Sequence, residues 1–316
     1  MTQMSLLLIV ALLASGAVRA TELEIPGPEG PLRGTLLAPE SPRAAALILP
    51  GSGPTDREGN SPLGITAAPY RLLAEGLAGR GIATLRIDKR GIAGSAAALP
   101  DADSVRMADY VADARNWSAR LMEETGAPCV WLLGHSEGGL ITLSALGEDP
   151  GPYCGAVLIA TPGHPLGEIL RLQLRANPAN APLLEDAERI IAALEAGTEV
   201  PAEAIPAPLL PLFRPTVQGY LIDLLAIDPG EVAGGYEGPL AIVQGTHDLQ
   251  VYVADAERLA GRAPNAALHL IDGVNHVLKA APMDRAANIA TYADADAPLA
   301  PEVLDAITGF IRAHTP

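Results

Sequence analysis

Apolar residues in this chain come in short unbroken runs, separated by longer stretches where they recur every three or four positions. Ala44-Ala-Ala-Leu-Ile-Leu-Pro50, Ile82-Ala-Thr-Leu-Arg-Ile87, Val130-Trp-Leu-Leu133, Gly155-Ala-Val-Leu-Ile-Ala-Thr161 and Leu240-Ala-Ile-Val-Gln244 are such runs. A strand covered on both faces reads this way, because alternation disappears when neither side meets water. Glu22 to Ile25 and Leu32 to Leu37 form two further short strands around a Gly/Pro turn, and Ala267 to Ile271 another. Between them lie helical periods. Pro69 opens one through Leu72, Leu73 and Leu77, closed by Gly79 and Gly81. Asp103 or Ser104 is positioned to cap the next, with Val105, Ala108, Ala112, Ala119 and Met122 on one face. A helix after Gly138, one near Ala254–Leu259 and a last one over Pro301–Ala313 complete the series. Strands alternating with helices predict an α/β fold, a mostly parallel sheet covered by helices on both faces.

The alternation stops between Pro162 and Tyr236. Leu166–Leu174, Leu183–Leu194 and Val217–Leu225 read as helices among proline-rich connections, with no strand. The expected organisation is a core made of 21–162 and 237–316, with 163–236 inserted as a helical cap. That insertion follows a sheet strand directly, so it is expected over the strand ends, where ligands bind in open α/β sheets.

Residues 1–20 are expected to be a signal peptide. The apolar run Ser5 to Val18 is too short for a spanning helix, and Ala17-Val-Arg-Ala20 places small residues where a signal peptidase reads. The protein is therefore expected to be exported, periplasmic or secreted, with no membrane span after cleavage. An oxidising compartment gives meaning to the two cysteines. Cys129 and Cys154 each precede a predicted strand, and parallel neighbouring strands would set them side by side for a disulfide. Hydrophobic residues make up 49% of the 316, which excludes disorder. The net charge of −16 argues against nucleic acid and anionic membrane surfaces as partners, since both demand positive fields.

Candidate chemistry begins at Gly134-His-Ser-Glu-Gly138. In a chain with 32 glycines, G-x-S-x-G alone is a weak signal; here it lies between an apolar strand and a small-residue helix. A serine lifted onto so sharp a turn crowds the residues two positions either side, and Gly134 and Gly138 meet that need. A serine nucleophile needs a base, and the base needs an anionic partner. Of six histidines, His135, His164, His269 and His314 fall inside the elbow, at the start of the cap, mid-strand and in the tail. His247 and His276 remain, each just after a predicted strand. Gly245-Thr-His-Asp248 and Gly273-Val-Asn-His276 then stand on the rim that holds Ser136, in the order Ser136, Asp248, His276. The charged group Asp56, Arg57, Asp88, Lys89 and Arg90 reads best as ion pairs between two loops. No Cys/His cluster has zinc spacing and no glycine-rich loop matches a nucleotide fingerprint, so neither metal nor cofactor is expected.

Taken together, Gly51-Ser-Gly-Pro-Thr-Asp-Arg57, Asp88-Lys-Arg-Gly91, Gly134-His-Ser-Glu-Gly-Gly139, Gly245-Thr-His-Asp248 and Asn275-His276 make the chain resemble the α/β-hydrolase superfamily across nearly all of residues 21–316. It is most similar to the carboxylesterase and serine-aminopeptidase-like branch. The resemblance implies an oxyanion hole formed by the N–H of Glu137 and a second N–H from the loop after the third strand. Where the family often carries His-Gly, this chain has Pro50-Gly-Ser-Gly53, so the second donor is Ser52, with Gly53 as the alternative.

The leading expectation is an exported serine hydrolase cleaving small-molecule carboxylic esters, the aliphatic cap suggesting an apolar acyl group. One rival keeps Ser136, Asp248 and His276 but acts on amides or aminoacyl substrates, with cap acids such as Glu185, Asp186 or Glu188 receiving the amine. Another is a non-catalytic binding protein that retains the fold.

Overall fold

A computed structural model describes residues 17–148 and 151–315. Residues 1–16 of the expected signal peptide lie outside the described residues; Val18–Ala20 extend the first strand along its edge, paired with Pro39–Leu37. In chain order the elements are β1 (Val18–Ile25), β2 (Leu32–Pro39), β3 (Ala44–Leu49), α1 (Pro69–Ala78), β4 (Ile82–Ile87), α2 (Met107–Thr125), β5 (Val130–His135), α3 (Glu137–Glu148) and β6 (Tyr153–Ile159). Then follow α4 (Leu166–Ala176), α5 (Leu184–Glu195), α6 (Leu210–Phe213), α7 (Pro215–Leu225) and α8 (Pro229–Gly235). The chain closes with β7 (Leu240–Gly245), α9 (Val253–Arg262), β8 (Ala267–Ile271), α10 (Arg285–Ala290) and α11 (Pro301–His314).

The eight strands form one sheet in the order β1-β2-β4-β3-β5-β6-β7-β8. β1 and β2 are antiparallel to their neighbours, and from β4 to β8 every pairing is parallel. The apolar runs divide between two cores by strict alternation. On β3, Ala45, Leu47 and Leu49 face the layer built by α2, α3 and α9, while Ala44, Ala46 and Ile48 face α1 and α11. Trp131 and Leu133 on β5 join the second core, where the Trp131 ring meets Phe310 edge-on at 5.7 Å. Cys129 and Cys154 are bonded as a disulfide with Cα atoms 5.2 Å apart; Cys129 directly precedes β5, and Cys154 is the second residue of the neighbouring β6, which starts earlier than expected.

Helix α2 departs from the sequence expectation at its start and on its face. Neither Asp103 nor Ser104 caps it. Its N-cap is Arg106, whose N–H donates to Asp109 Oδ2, and the N–H of Met107 is satisfied by Asp223 Oδ2 from α7. Asp103 is drawn instead to the guanidinium of Arg214. Ala108, Ala112 and Ala119 are exposed, and the buried face carries Tyr110, Asp113, Ala114, Trp117 and Leu121. Alanine is too weak a hydrophobe to mark a face in a chain this rich in it, and Asp113 is buried because Arg90 pairs with it in a fork, at 2.6 and 2.8 Å.

Between β6 and β7 the described chain holds helices alone. Helices α4 to α7 share a core of their own, with Leu170, Ile190, Ile191, Leu194, Leu209, Phe213 and Leu225 buried against one another, whereas α8 packs on α3 and α9 with Ala233 in the first core. Ion pairs bind these helices to the segment before α2 and to α9: Arg106 with Asp223, Arg214 with Asp103 and Arg258 with Asp228. These pairs are partly solvated and each contributes about 0–1 kcal/mol, so they orient the layer more than they stabilise it.

Candidate active site

The sheet order creates the crevice. The chain leaves β3 to form β4 on one side, then crosses back to form β5 on the other. Connections therefore diverge at the carboxyl ends of β3 and β5, which is where open α/β sheets bind ligands. The loop after β3 meets the turn after β5 there. A Cβ on Gly51 would lie 3.2 Å from Ser136 Cβ and 3.4 Å from the His135 carbonyl.

Ser136 is half-buried and sits at φ 54°, a left-handed conformation that costs a non-glycine residue roughly 1–3 kcal/mol. Its N–H donates to Ile159 O at 2.9 Å, tying the turn to the end of β6. Space explains the neighbouring glycines. A Cβ on Gly134 would collide with Gly138 O and Thr142 Oγ1, one on Gly138 with Leu49 O, and one on Gly139 with Thr161 Oγ1. Helix α3 starts at Glu137, whose N–H has no helical acceptor and shares the positive end of the helix dipole.

Asp248 follows β7 and His276 follows β8, and the structure brings them together 28 residues apart in sequence. His276 Nδ1 lies 2.8 Å from Asp248 Oδ2, and both residues are buried. The other carboxylate oxygen accepts the N–H groups of Gln250 at 2.8 Å and Val251 at 3.0 Å. Burial alone would raise the Asp248 carboxyl, but His276 and these two amides outweigh it and hold it below the ordinary carboxylate value. With Nδ1 committed to Asp248, Nε2 is the ring nitrogen left to exchange a proton. The loop carrying His276 is braced by Asn275, whose Nδ2 donates to Asn288 Oδ1 and Thr291 Oγ1 while its Oδ1 accepts the N–H of Lys279. His247, the rival histidine on the rim, takes part in this bracing and is oriented by a backbone carbonyl rather than a carboxylate, its Nδ1 donating to Ala281 O at 2.6 Å.

A second chain of bonds joins the three loops. Gly51 N–H donates to Tyr70 Oη, and the Tyr70 hydroxyl lies 2.9 Å from His135 Nδ1. His135 Nε2 lies 2.8 Å from the backbone carbonyl of His276. A carbonyl only accepts, so Nε2 carries the proton and Nδ1 accepts from Tyr70. His135 is thus a neutral tautomer locked between the Tyr70 hydroxyl of α1 and the backbone of His276. Desolvation, with the nearby His276 ring, pushes its pKa down to about 3. A histidine buried neutral contributes stability that is complete above its unfolded value of about 6.5 and lost as pH falls from there towards 3. His135→Gln is therefore expected to flatten the acid side of the stability curve. Relative to pH 7, wild type should lose about 3 kcal/mol more than the variant by pH 4 in urea unfolding. Parallel curves would mean that His135 is not held neutral.

The remaining candidates sort by their contacts. Ser52 and Gly53 are exposed, Gly53 at φ 68°, and the loop is folded back by Thr55, whose N–H and hydroxyl donate to Gly53 O and Ser52 O. Arg57 forks onto Asp88, and Asp56 accepts the N–H groups of Glu58 and Asn60. Lys89 stands apart from that network and reaches Gly51 O instead. His164 at the start of the cap hydrogen-bonds Asp255 at 2.9 Å. Of the cap acids, Glu188 is paired with Arg171 and Arg175, and Asp186 with Arg189. Tyr70 and Asn288 carry no local sequence signal, since each acts across tens of residues. Among the described residues, no three His, Cys, Asp or Glu side chains converge as a metal-ligand group, and no helix is long and apolar enough to cross a membrane.

A parallel sheet in this order, with a strained serine turn after β5 and a carboxylate–histidine pair after β7 and β8, defines the chain as an α/β hydrolase. Residues 63–280 match the family described as Hydrolase_4, serine aminopeptidase S33, and the chain belongs to that family. The match spans the elbow, the helical layer and the Asp248–His276 pair, and leaves out the Gly51–Gly53 loop. Among solved structures, the α/β hydrolase GrgF from Penicillium sp. sh18 is similar at a TM-score of 0.60 and 20% identity, over 94% of this chain and 99% of that one. A proline iminopeptidase-related protein from Thermus thermophilus gives 0.59 and 21%, over 94% and 99%. The esterase domain of a Rhodothermus marinus protein gives 0.56 and 18%, over 94% and 100%. At these identities the likeness is one of fold. No curated protein matches the chain by sequence.

Proposed function

We propose that the protein is an exported carboxylesterase working through an acyl-enzyme. The observation that carries this reading is the buried His276–Asp248 pair, whose histidine is also bonded through its carbonyl to the residue preceding Ser136. In the proposed cycle Ser136 Oγ bonds to the acyl carbon as its proton passes to His276 Nε2. The tetrahedral oxyanion is held by the Glu137 and Ser52 N–H groups. The C–O bond to the alcohol breaks and the alcohol leaves with the proton from His276. Water then repeats the sequence, giving its proton to His276 and releasing the acid and free Ser136.

Esters are favoured over amine-bearing substrates because two of the three cap acids, Glu188 and Asp186, are already paired with arginines, which leaves Glu185 alone to receive an amine. The matched family is described as serine aminopeptidases and the Thermus protein as proline iminopeptidase-related, whereas the Rhodothermus domain is described as an esterase. The apolar helices of 163–236 support an apolar acyl group. The Cys129–Cys154 bond supports export, since disulfides persist in oxidising compartments.

Labelling with a fluorophosphonate probe, with the modified peptide located by mass spectrometry, tests the nucleophile. A panel of p-nitrophenyl esters from acetate to decanoate, set against aminoacyl p-nitroanilides, tests the bond. Labelling at Ser136 with turnover of esters in preference to anilides is expected. Preference for anilides would install the peptidase reading, and absence of both labelling and turnover a binding role.

A further inference from the structure

Lys89 is one of only two lysines in the chain, and it is 5% exposed in the loop after β4. Its Nζ donates to Gly51 O at 2.7 Å, lies 3.3 Å from Glu137 Oε1, and stands 5.4 Å from the centre of the Tyr110 ring. These contacts touch both halves of the proposed oxyanion hole. Gly51 C=O and Ser52 N–H belong to one peptide unit, planar and trans, so they point in opposite directions. Whatever holds the oxygen also sets the direction of the N–H. The N–H on the other side of Gly51 is held by Tyr70 Oη. The segment is thus fixed by one buried acceptor and one buried cation.

We infer that Lys89 is the positioning residue of the oxyanion hole: by gripping Gly51 O it aims and polarises the Ser52 N–H, and it keeps the Glu137 carboxylate paired. The inference rests on the proposed esterase reading with Ser52 as the second donor. Polarisation follows because a charge-assisted hydrogen bond to a carbonyl strengthens the donor on the same amide. Pairing matters because Glu137 bears a negative side chain on the residue whose own N–H is to receive a negative oxygen. An unpaired carboxylate there would oppose the charge that develops on the substrate. Stability is a poor account of the same contacts, since the desolvation of a lysine and a glutamate this buried offsets much of their attraction.

The test is Lys89→Met, which keeps the length of the side chain and removes the charge and donors. Both kcat for a p-nitrophenyl ester and affinity for an aryl trifluoromethyl ketone, whose serine adduct carries the oxyanion, are expected to fall in parallel by about 10- to 100-fold. KM should stay within about threefold, because ground-state binding of the neutral ester does not draw on the developed oxyanion. Lys89→Gln, with a neutral donor on a shorter chain, should be intermediate. Melting temperatures are read beside both variants. A folded variant with kcat and ketone affinity within about twofold of wild type overturns the inference. So does a matching loss of substrate binding, or failure of both variants to fold, which would assign Lys89 to structure alone. Wild-type protein that neither hydrolyses esters nor takes up a fluorophosphonate would instead overturn the esterase reading beneath it. Active wild type with an unaffected Lys89→Met variant removes only the role of Lys89.

Discussion

Ser136→Ala is expected to lower kcat for a p-nitrophenyl ester by about five to six orders of magnitude while leaving the protein folded. Alanine retains the Cβ, so the left-handed backbone at φ 54° is no more and no less strained, and the N–H bond to Ile159 O is untouched. The Gly134, Gly138 and Gly139 contacts that shape the turn involve backbone and threonine atoms rather than the serine hydroxyl. Stability should therefore change by less than about 1 kcal/mol. What is lost is the nucleophile itself, and the residual rate is what an oxyanion hole and binding supply on their own. Steady-state kinetics, with fluorophosphonate titration to count contaminating wild-type sites, measure the effect. Turnover within about tenfold of wild type would move the nucleophile elsewhere in the crevice.

Asp248→Asn is expected to reduce kcat by about 10⁴-fold, and the bonding around the carboxylate explains why a change of one atom matters so much. One oxygen accepts the N–H groups of Gln250 and Val251. Only the amide oxygen of asparagine can take that place, so the amide NH₂ is turned towards His276 Nδ1, 2.8 Å from the position it fills. The imidazole must then accept at Nδ1 and carry its proton on Nε2, where it can no longer take one from Ser136. The same NH₂ also faces Gln244 Nε2, a second donor 3.3 Å from that oxygen, which adds about 1–3 kcal/mol of instability. In wild type the depressed Asp248 carboxyl contributes stability that is present above its unfolded value near 3.9 and lost as pH falls through its lower folded value. The variant should lack that acid-side loss. A kcat within about tenfold of wild type would show that His276 finds its working tautomer without Asp248.

Much of this molecule can be read locally. The continuous apolar runs of β3 to β7 announce strands covered on both faces, because burial on both sides is written residue by residue. The turn Gly134-His-Ser-Glu-Gly138 is legible for the same reason, since its steric demands fall within five residues. The order of Ser136, Asp248 and His276 follows from strands whose ends point one way. Helix α2 shows where local reading fails. Its start is satisfied by Asp223 from α7, more than a hundred residues on, and its inner face holds Asp113 because Arg90 from another loop neutralises it. No pattern within the helix contains either partner.

The supports of the site belong to the same category. Tyr70 of α1, His135 at the end of β5 and the carbonyl of His276 in the loop after β8 form one hydrogen-bonded line, and Asn275 finds Asn288 only once the chain has doubled back after β8. Lys89 lies in a run of charges that reads as ion pairs between loops, yet it is buried under the Gly51 peptide. Hydrophobic periodicity and turn sterics are properties of neighbours along the chain, and they specify the strands, the elbow and the rim. Which polar side chain meets which donor depends on the approach of distant segments, and that pairing comes into existence only when the sheet has closed.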